Sequence, residues 1–283
     1  MRLDGRRESS NVEDRRGMSG GKMAGLGIGG IIIVGIITLL MGGDLGDVIK
    51  QAANQGGTTV QSYEPTAENE ELAKFSRQIL ASTEDVWSKV FKEQNLGTYK
   101  APTLVLYTGS TSSACGQGQA SMGPFYCSAD EKLYIDLSFF SSMRAQLGAD
   151  GDFAYAYVIA HEVGHHVQHL LGTLDAAHQK MARMSKADAN RMSVRIELQA
   201  DFYAGVWGHY ENKFFGSLED GDLEEAINCA SVIGDDYLQK KSQGYAVEES
   251  FTHGTAAQRM RWLKKGISTG KVREGDTFGQ SAL

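Results

Sequence analysis

The chain has 283 residues, of which 41% are hydrophobic and 22% are charged, and it carries a formal net charge of −7. This length allows one large domain or two small ones, with a sizeable core. An acidic protein without a block of Lys and Arg lacks the basic face that nucleic acids require, which excludes a nucleic-acid partner.

The first predicted element is a membrane-spanning helix over residues 23–43. The 21 residues between Lys22 and Asp44 are uncharged, and such a run spans a bilayer core of about 30 Å at about 1.5 Å per residue. Basic residues precede the run and acidic residues follow it, which predicts residues 1–22 as a cytoplasmic tail and the rest of the chain across the membrane. A cleaved signal peptide is the alternative, but the run is longer than is typical of one and no clear cleavage site follows.

Two further expectations concern this N-terminal part. Residues 44–66 are rich in Gly, Gln and Thr and predict a flexible linker, which leaves residues 67–283 as the folded domain. Glycines at every fourth position predict a face through which anchor helices pack into an oligomer, at Gly21, Gly25 and Gly29.

Within the domain, the spacing of apolar residues predicts helices around a small sheet. The helical spacing covers 70–93, 138–147, the stretch that begins at 153, 186–210 and 222–241. Alternating apolar residues predict strands over 103–107 and 132–137, and the second strand is the candidate to pair with an extended substrate at the rim of a cleft. A last helix begins after Thr255, because Gln258 completes a capping box. The predicted fold class is α+β, predominantly helical.

Two of the three cysteines bracket a loop that contains Gly and Ser. Cys115 and Cys127 are predicted to form a disulfide, which favours an oxidising compartment for the domain. Two unpaired thiols are the alternative. Cys229 stands alone in a helical pattern.

The strongest motif is the run His161-Glu162-Val163-Gly164-His165, an H-E-x-x-H sequence. Residues four apart lie on one face of a helix, so His161 and His165 can bind one metal ion. Glu162 projects beside that ion, where it can take a proton from a zinc-bound water as general base. The motif therefore predicts a zinc hydrolase.

A catalytic zinc ion takes three protein ligands and keeps one position open. The pattern in which a third histidine follows the motif is absent, because Gln168 and Leu171 stand where a glycine and that histidine are required. Glu197 is therefore predicted as the third ligand. Asp201, one helical turn further on, is predicted to accept the ring N–H of a ligand histidine and so fix its tautomer.

A reaction at this site also needs a donor for the oxyanion of the transition state. His253 is the candidate, since it lies just before the N-terminus of the last predicted helix. A structural histidine in a turn is an equal alternative, and Tyr203 and Tyr210 are alternative donors. His166 and His169 point to other faces of the motif helix and are predicted as supporting or surface residues rather than ligands.

These residues resemble the bacterial family of neutral zinc metallopeptidases over nearly the whole chain. The resemblance rests on residues 161–168, 197–205 and 251–259. It implies an N-terminal anchor, one gluzincin-like domain of the zincin type and one bound Zn²⁺. The last of these segments is also similar to the T-H-P-x-x-x-x-R element of membrane-associated gluzincins, with Gly254 in place of the proline.

The sequence thus predicts a single-pass, membrane-anchored zinc metalloendopeptidase. It would hydrolyse a peptide or protein substrate on the extracytoplasmic, periplasmic side of a bacterial inner membrane. One alternative is a catalytically idle zinc-binding scaffold or chaperone, against which the intact base Glu162 argues. The other is a hydrolase of a non-peptide amide that uses the same water activation.

Overall fold

The computed structural model describes residues 1–17, 66–281 and 283. In this part of the chain, helices pack on one face of a four-stranded sheet, and a two-stranded hairpin lies on the other face. The predicted class, α+β and predominantly helical with a small sheet, is confirmed.

The bounds of the elements are as follows. The strands are β1 (Val12–Asp14), β2 (Thr103–Tyr107), β3 (Ser110–Ser113), β4 (Gly116–Gln119), β5 (Phe125–Cys127) and β6 (Lys132–Asp136). The helices are α1 (Ala67–Glu93), α2 (Ser138–Leu147), α3 (Asp152–Leu170), α4 (Thr173–Met181), α5 (Lys186–Phe215), α6 (Asp222–Val232), α7 (Asp235–Gln243) and α8 (Ala256–Thr269). Short 3₁₀ turns cover Ala120–Met122, Glu248–Ser250 and Val272–Gly275.

Most of the predicted helices and strands agree with these bounds. The capping box of Thr255 and Gln258 is present at the start of α8. The prediction of one helix over 222–241 is wrong, because α6 ends at Val232 and α7 begins at Asp235. The break lies at Gly234, where a Cβ would be only 2.3 Å from the backbone nitrogen of Ala256. The close approach of α8 therefore requires a glycine there, although the apolar spacing continues through it.

The sheet has the strand order β1-β2-β6-β5, with β1, β2 and β6 parallel and β5 antiparallel to β6. Successive side chains point to opposite faces, so Leu104 and Leu133 pack against the helices while Val105 and Tyr134 face the hairpin side. Residues 132–134 of β6 are hydrogen-bonded on both edges, to β2 and to β5, so the prediction that this strand pairs with a substrate is wrong for these residues. Among the described strands of this sheet, the free edge beside β6 belongs to β5.

Residues 1–17 are part of the folded domain. Strand β1 extends the sheet through its pairing with β2. Glu84 of α1 accepts hydrogen bonds from the side chains of Arg7 (Nη2, 2.8 Å), Ser9 (Oγ, 2.6 Å) and Asn11 (Nδ2, 2.7 Å). The Glu84 side chain is buried, so these polar groups are held in fixed positions on the domain.

These contacts bear on the predicted membrane topology. The interpretation of residues 1–22 as a tail apart from the domain is wrong for residues 1–17. Nη1 of Arg16 donates to the backbone carbonyl of Asn69 at 3.2 Å, so the chain leaves the domain and re-enters it at neighbouring positions. A single membrane crossing in between would put β1 and β2 on opposite sides, which their pairing does not allow.

The predicted span over residues 23–43 and the Gly21, Gly25 and Gly29 face lie outside the described residues, as does the 44–66 linker except for Thr66. Among the helices that are described, none is both long enough and apolar enough to cross a membrane.

Candidate functional site

Helices α3 and α5 carry the predicted metal ligands and pack closely against each other. The motif residues 161–165 lie in α3, and Glu197 lies in α5. Gly164 allows the close packing, since a Cβ at this position would lie 2.8 Å from the backbone oxygen of Ala200. The glycine inside the motif thus lets the two helices place their side chains around one point.

His161, His165 and Glu197 form a buried group of three. Nε2 of His161 lies 3.1 Å from Oε2 of Glu197, and Nε2 of His165 lies 3.5 Å from Oε1 of the same carboxylate. The ligand atoms that the three residues offer all lie within 4.8 Å of one another. The structure therefore brings together the three residues predicted as ligands.

The donor set and the charge of this group fit a zinc ion. Two imidazole nitrogens and one carboxylate oxygen are a ligand set that catalytic zinc prefers. Burial opposes a positive charge on His161, yet the carboxylates of Asp201 and Glu197 outweigh it and raise the pKa of His161 to about 10. The same negative potential favours a bound cation.

Asp201 supports His161 from the side away from Glu197. Its Oδ1 lies 2.8 Å from Nδ1 of His161 and accepts a hydrogen bond from the hydroxyl of Tyr157 at 2.5 Å. Burial opposes ionisation of Asp201, but the Arg259 guanidinium outweighs it and holds the pKa of Asp201 well below its usual range. An ionised carboxylate only accepts hydrogen bonds, so Nδ1 of His161 carries a proton, and Nε2 is the nitrogen left to face Glu197 and a metal ion.

Glu162 is buried in the same cavity as the metal group, which His161, His165 and Glu197 also line. Its Oε2 has no hydrogen-bond partner within the described residues. Burial raises the pKa of Glu162 above its ordinary value. A carboxylate with an unused oxygen beside the metal group can accept a proton from a molecule in the cavity.

His253 lines this cavity as well, and a carboxylate that was not predicted from the sequence, Asp235, holds it there. Oδ2 of Asp235 accepts the backbone N–H groups of Thr252, His253 and Gly254 at 2.8, 2.6 and 2.9 Å. Oδ1 of Asp235 lies 3.3 Å from Nδ1 of His253. Burial opposes a charge on the His253 ring, but Asp235 outweighs it, so the pKa of His253 lies above its ordinary value. The sequence offers one signal for Asp235, an acidic residue directly after a glycine, Gly234.

The two tyrosines considered as alternative donors pack elsewhere. The ring of Tyr203 stands edge-on to Trp87, with 5.9 Å between the centroids. The hydroxyl of Tyr210 accepts a hydrogen bond from Nε2 of Gln94 at 3.2 Å. Neither tyrosine is among the described residues that line the cavity of Glu162.

The remaining histidines of the motif helix connect it to its neighbours. Nε2 of His166 lies 2.6 Å from the backbone oxygen of Lys100, and Nδ1 lies 2.9 Å from the hydroxyl of Tyr126. Burial lowers the pKa of His166 to about 4, which keeps the ring neutral. His169 faces the carboxylate of Asp175. Both residues therefore support the position of α3.

The edge strand β5 and the β3–β4 hairpin border a second cavity beside the metal group. A disulfide joins Cys115 in the hairpin turn to Cys127 at the end of β5, and Cys229 is a buried free thiol. The cavity reaches His165 and Glu197, and its apolar lining comes from Met122, Phe125, Leu174 and Ile196. An apolar surface thus continues from the metal group along the free edge of the sheet.

The fold and the site define an H-E-x-x-H domain with a three-residue group able to hold a metal ion. The chain belongs to the family described as "Putative neutral zinc metallopeptidase", whose sequence profile matches residues 1–278. The description of the family implies zinc as the metal and a peptide or protein as the substrate.

Two relatives show how far the similarity extends. The protein named "Uncharacterized protein YpfJ" from Escherichia coli K12 is 51% identical, and the alignment covers 99% of this chain and 100% of that protein. "Uncharacterized protein Rv2575" from Mycobacterium tuberculosis H37Rv is 38% identical over 71% of this chain and 69% of that protein. No solved structure matches the chain significantly.

Proposed function

We propose that this protein is a zinc-dependent metalloendopeptidase of the gluzincin type. His161, His165 and Glu197 would hold one zinc ion, and Glu162 would be the general base. The observation that carries the proposal is the buried carboxylate of Glu162, whose Oε2 has no partner within the described residues and which shares a cavity with the metal group.

The residues of the cavity have separate roles in hydrolysis. Zinc, when bound, supplies a Lewis acid that polarises the scissile carbonyl group and lowers the pKa of water. Glu162 accepts a proton from the attacking water as the water oxygen bonds to the carbonyl carbon. His253 donates a hydrogen bond to the oxygen that becomes negative. Glu162 then gives its proton to the amide nitrogen as the C–N bond breaks, which leaves a carboxylate and an amine.

The edge of β5 supports a peptide as the substrate. Its outer edge is free among the described strands, and Phe125 and Tyr126 line the cavity beside the metal group. An extended peptide can add to such an edge through backbone hydrogen bonds, while its side chains enter the apolar cavity. A peptide bond held in this way would lie near His165 and Glu197, which border the same cavity.

We place this activity on the extracytoplasmic side of a bacterial inner membrane, with the apolar run of residues 23–43 as the attachment. The Cys115–Cys127 disulfide supports an oxidising compartment. The pairing of β1 with β2 supports the same side for residues 1–17 and the domain. A Ser10→Cys variant and a Lys264→Cys variant, each labelled in spheroplasts with an impermeant maleimide, test this location. Both thiols should react before lysis, and labelling of Ser10→Cys only after lysis would contradict it.

The test of the activity is digestion of casein and of a peptide library by the zinc-loaded full chain, with and without a chelator. We expect cleavage that the chelator abolishes. Glu162→Gln should retain zinc but lower kcat about 10²–10⁴-fold, since this is the usual contribution of a general base. A Glu162→Gln protein that turns over at the wild-type rate would refute the assigned base. Zinc binding without hydrolysis of any peptide would favour the scaffold alternative.

A further inference from the structure

We propose that Gln168 positions the metal ligand His165 and selects its tautomer, and that backbone carbonyl groups fix the orientation of the Gln168 amide. The inference rests on the metal site of the proposed function. Gln168 follows His165 by three residues on α3, and its side chain is completely buried. In the sequence, Gln168 marks a departure from the longer histidine motif.

The contact between the two side chains is direct. Oε1 of Gln168 lies 2.9 Å from Nδ1 of His165. A glutamine amide can present either an acceptor or a donor to a ring nitrogen, so this distance alone does not identify the tautomer.

The other side of the amide decides its orientation. Nε2 of Gln168 lies 2.8 Å from the backbone oxygen of Ile196 and 3.0 Å from Oε1 of Gln199. Nε2 of Gln199 in turn donates to the backbone oxygen of Gly275 at 2.8 Å. Backbone carbonyl oxygens only accept hydrogen bonds. Both amides are therefore fixed with their NH₂ groups toward these carbonyls and their oxygens toward the next partner.

This orientation leaves an acceptor facing His165. Nδ1 of His165 must therefore carry a proton, so in the neutral ring the lone pair is on Nε2, the nitrogen that faces Glu197. The neutral ring is then in the tautomer that binds a metal ion through Nε2. Gln168 acts through His165, so it is a positioning residue.

The two ligand histidines are thus supported by different chemistry. Nδ1 of His161 faces the ionised carboxylate of Asp201, whereas Nδ1 of His165 faces a neutral amide. The cavity already contains the buried carboxylates of Glu162 and Glu197. A neutral acceptor beside His165 orients the ring without a further buried negative charge, which would need its own cation.

The experiment compares the zinc affinity of Gln168→Met with that of the wild type, by competition with a chromogenic chelator. Loss of an outer hydrogen-bond partner of a ligand histidine typically weakens metal binding about 10–100-fold, and we expect a loss in this range. The matched control is Gln78→Met on α1, because Gln78 is also buried and donates to two backbone oxygens, those of Leu3 and Arg6. The control should lose stability and keep the zinc affinity.

A second measurement needs no variant. Long-range ¹H–¹⁵N correlation spectra of the zinc-loaded wild type should show His165 protonated at Nδ1 and bound to the metal through Nε2. A ring protonated at Nε2 would overturn the proposal, and so would a Gln168→Met protein that binds zinc as tightly as the wild type. A wild-type chain that binds no zinc would instead refute the proposed function itself.

Discussion

Arg259 of α8 and Asp201 of α5 form a buried ion pair, and Asp201 in turn contacts the predicted metal ligand His161. Nε of Arg259 donates to Oδ2 of Asp201 at 2.8 Å, and Nη2 donates to Oδ1 at 2.9 Å. The same Oδ1 lies within hydrogen-bond distance of Nδ1 of His161. The position of His161 therefore depends on a helix that follows α3 much later in the chain.

Replacement of Arg259 should destabilise the protein. In Arg259→Leu the buried carboxylate of Asp201 loses its cation, and breaking a buried pair in this way costs about 3–5 kcal/mol. Urea denaturation of the zinc-free protein measures the change in the free energy of unfolding. Lys264→Ala, an exposed position on the same helix, is the control and should stay within about 0.5 kcal/mol of the wild type. A loss no greater than that of the control would contradict the role of the pair.

His253 should set the alkaline limit of activity. Nδ1 of His253 lies 3.3 Å from Oδ1 of Asp235 and 3.0 Å from the hydroxyl of Thr252. When Nδ1 donates its hydrogen bond to the carboxylate, Nε2 carries a proton for donation only while the ring is charged. Its pKa is raised above the ordinary value, so the charged form is complete at low pH and is lost as the pH rises through this raised pKa. We expect kcat/KM to fall along this alkaline limb.

Two variants separate His253 from other groups that titrate in the same range. In His253→Gln the alkaline limb should disappear, and kcat should fall about 10²–10³-fold, as it does when one oxyanion donor is removed. In Asp235→Asn the limb should move to lower pH, because the carboxylate no longer raises the pKa. An alkaline limb that is unchanged in both variants would exclude His253 as the donor. His209→Gln serves as the control, since His209 hydrogen-bonds the backbone oxygen of Ile267.

Removal of the Glu197 carboxylate should abolish metal retention. Glu197→Ala leaves two histidines, which is one ligand fewer than catalytic zinc sites use. Elemental analysis after dialysis should find well below one zinc per chain. Glu162→Gln is the matched comparison in the same cavity and should retain a full equivalent. Equal zinc content in both proteins would refute Glu197 as the third ligand.

Glu84 should be needed for the attachment of residues 1–17. Its carboxylate accepts hydrogen bonds from Arg7, Ser9 and Asn11, and hydrogen bonds to a charged group contribute about 1.5–3 kcal/mol. We expect Glu84→Ala to lose about this amount of stability in urea denaturation. Trypsin should also cleave faster after the arginines of residues 1–17. Glu71→Ala, an exposed position on the same helix, should change neither result.

The features that the sequence predicts best are those whose chemistry is local. The spacing of His161 and His165 follows from the pitch of one helix, and the structure places both side chains in one buried group. The capping box of α8 and the bounds of β2 also depend on neighbouring residues only. Gly234 was missed as a break because the reason for it is the close approach of α8.

The prediction of residues 1–22 as a tail apart from the domain was wrong for residues 1–17 for the same kind of reason. Hydropathy and flanking charge are properties of residues 1–17 alone, and considered alone these residues form a polar segment. Their pairing with β2 and their contacts to Glu84 are long-range interactions, which no local pattern contains.

The sequence by itself predicted His161, His165 and Glu197 as ligands and Glu162 as the base, because helical periodicity fixes which side chains of one helix share a face and the motif left one ligand to be found elsewhere. Only the tertiary structure decided what orients these groups. The structure shows that Asp235 contacts His253, that Arg259 contacts Asp201 and that Gln168 contacts His165. These contacts exist because the packed helices bring the atoms within hydrogen-bond distance. Such distances follow from packing between segments far apart in the chain.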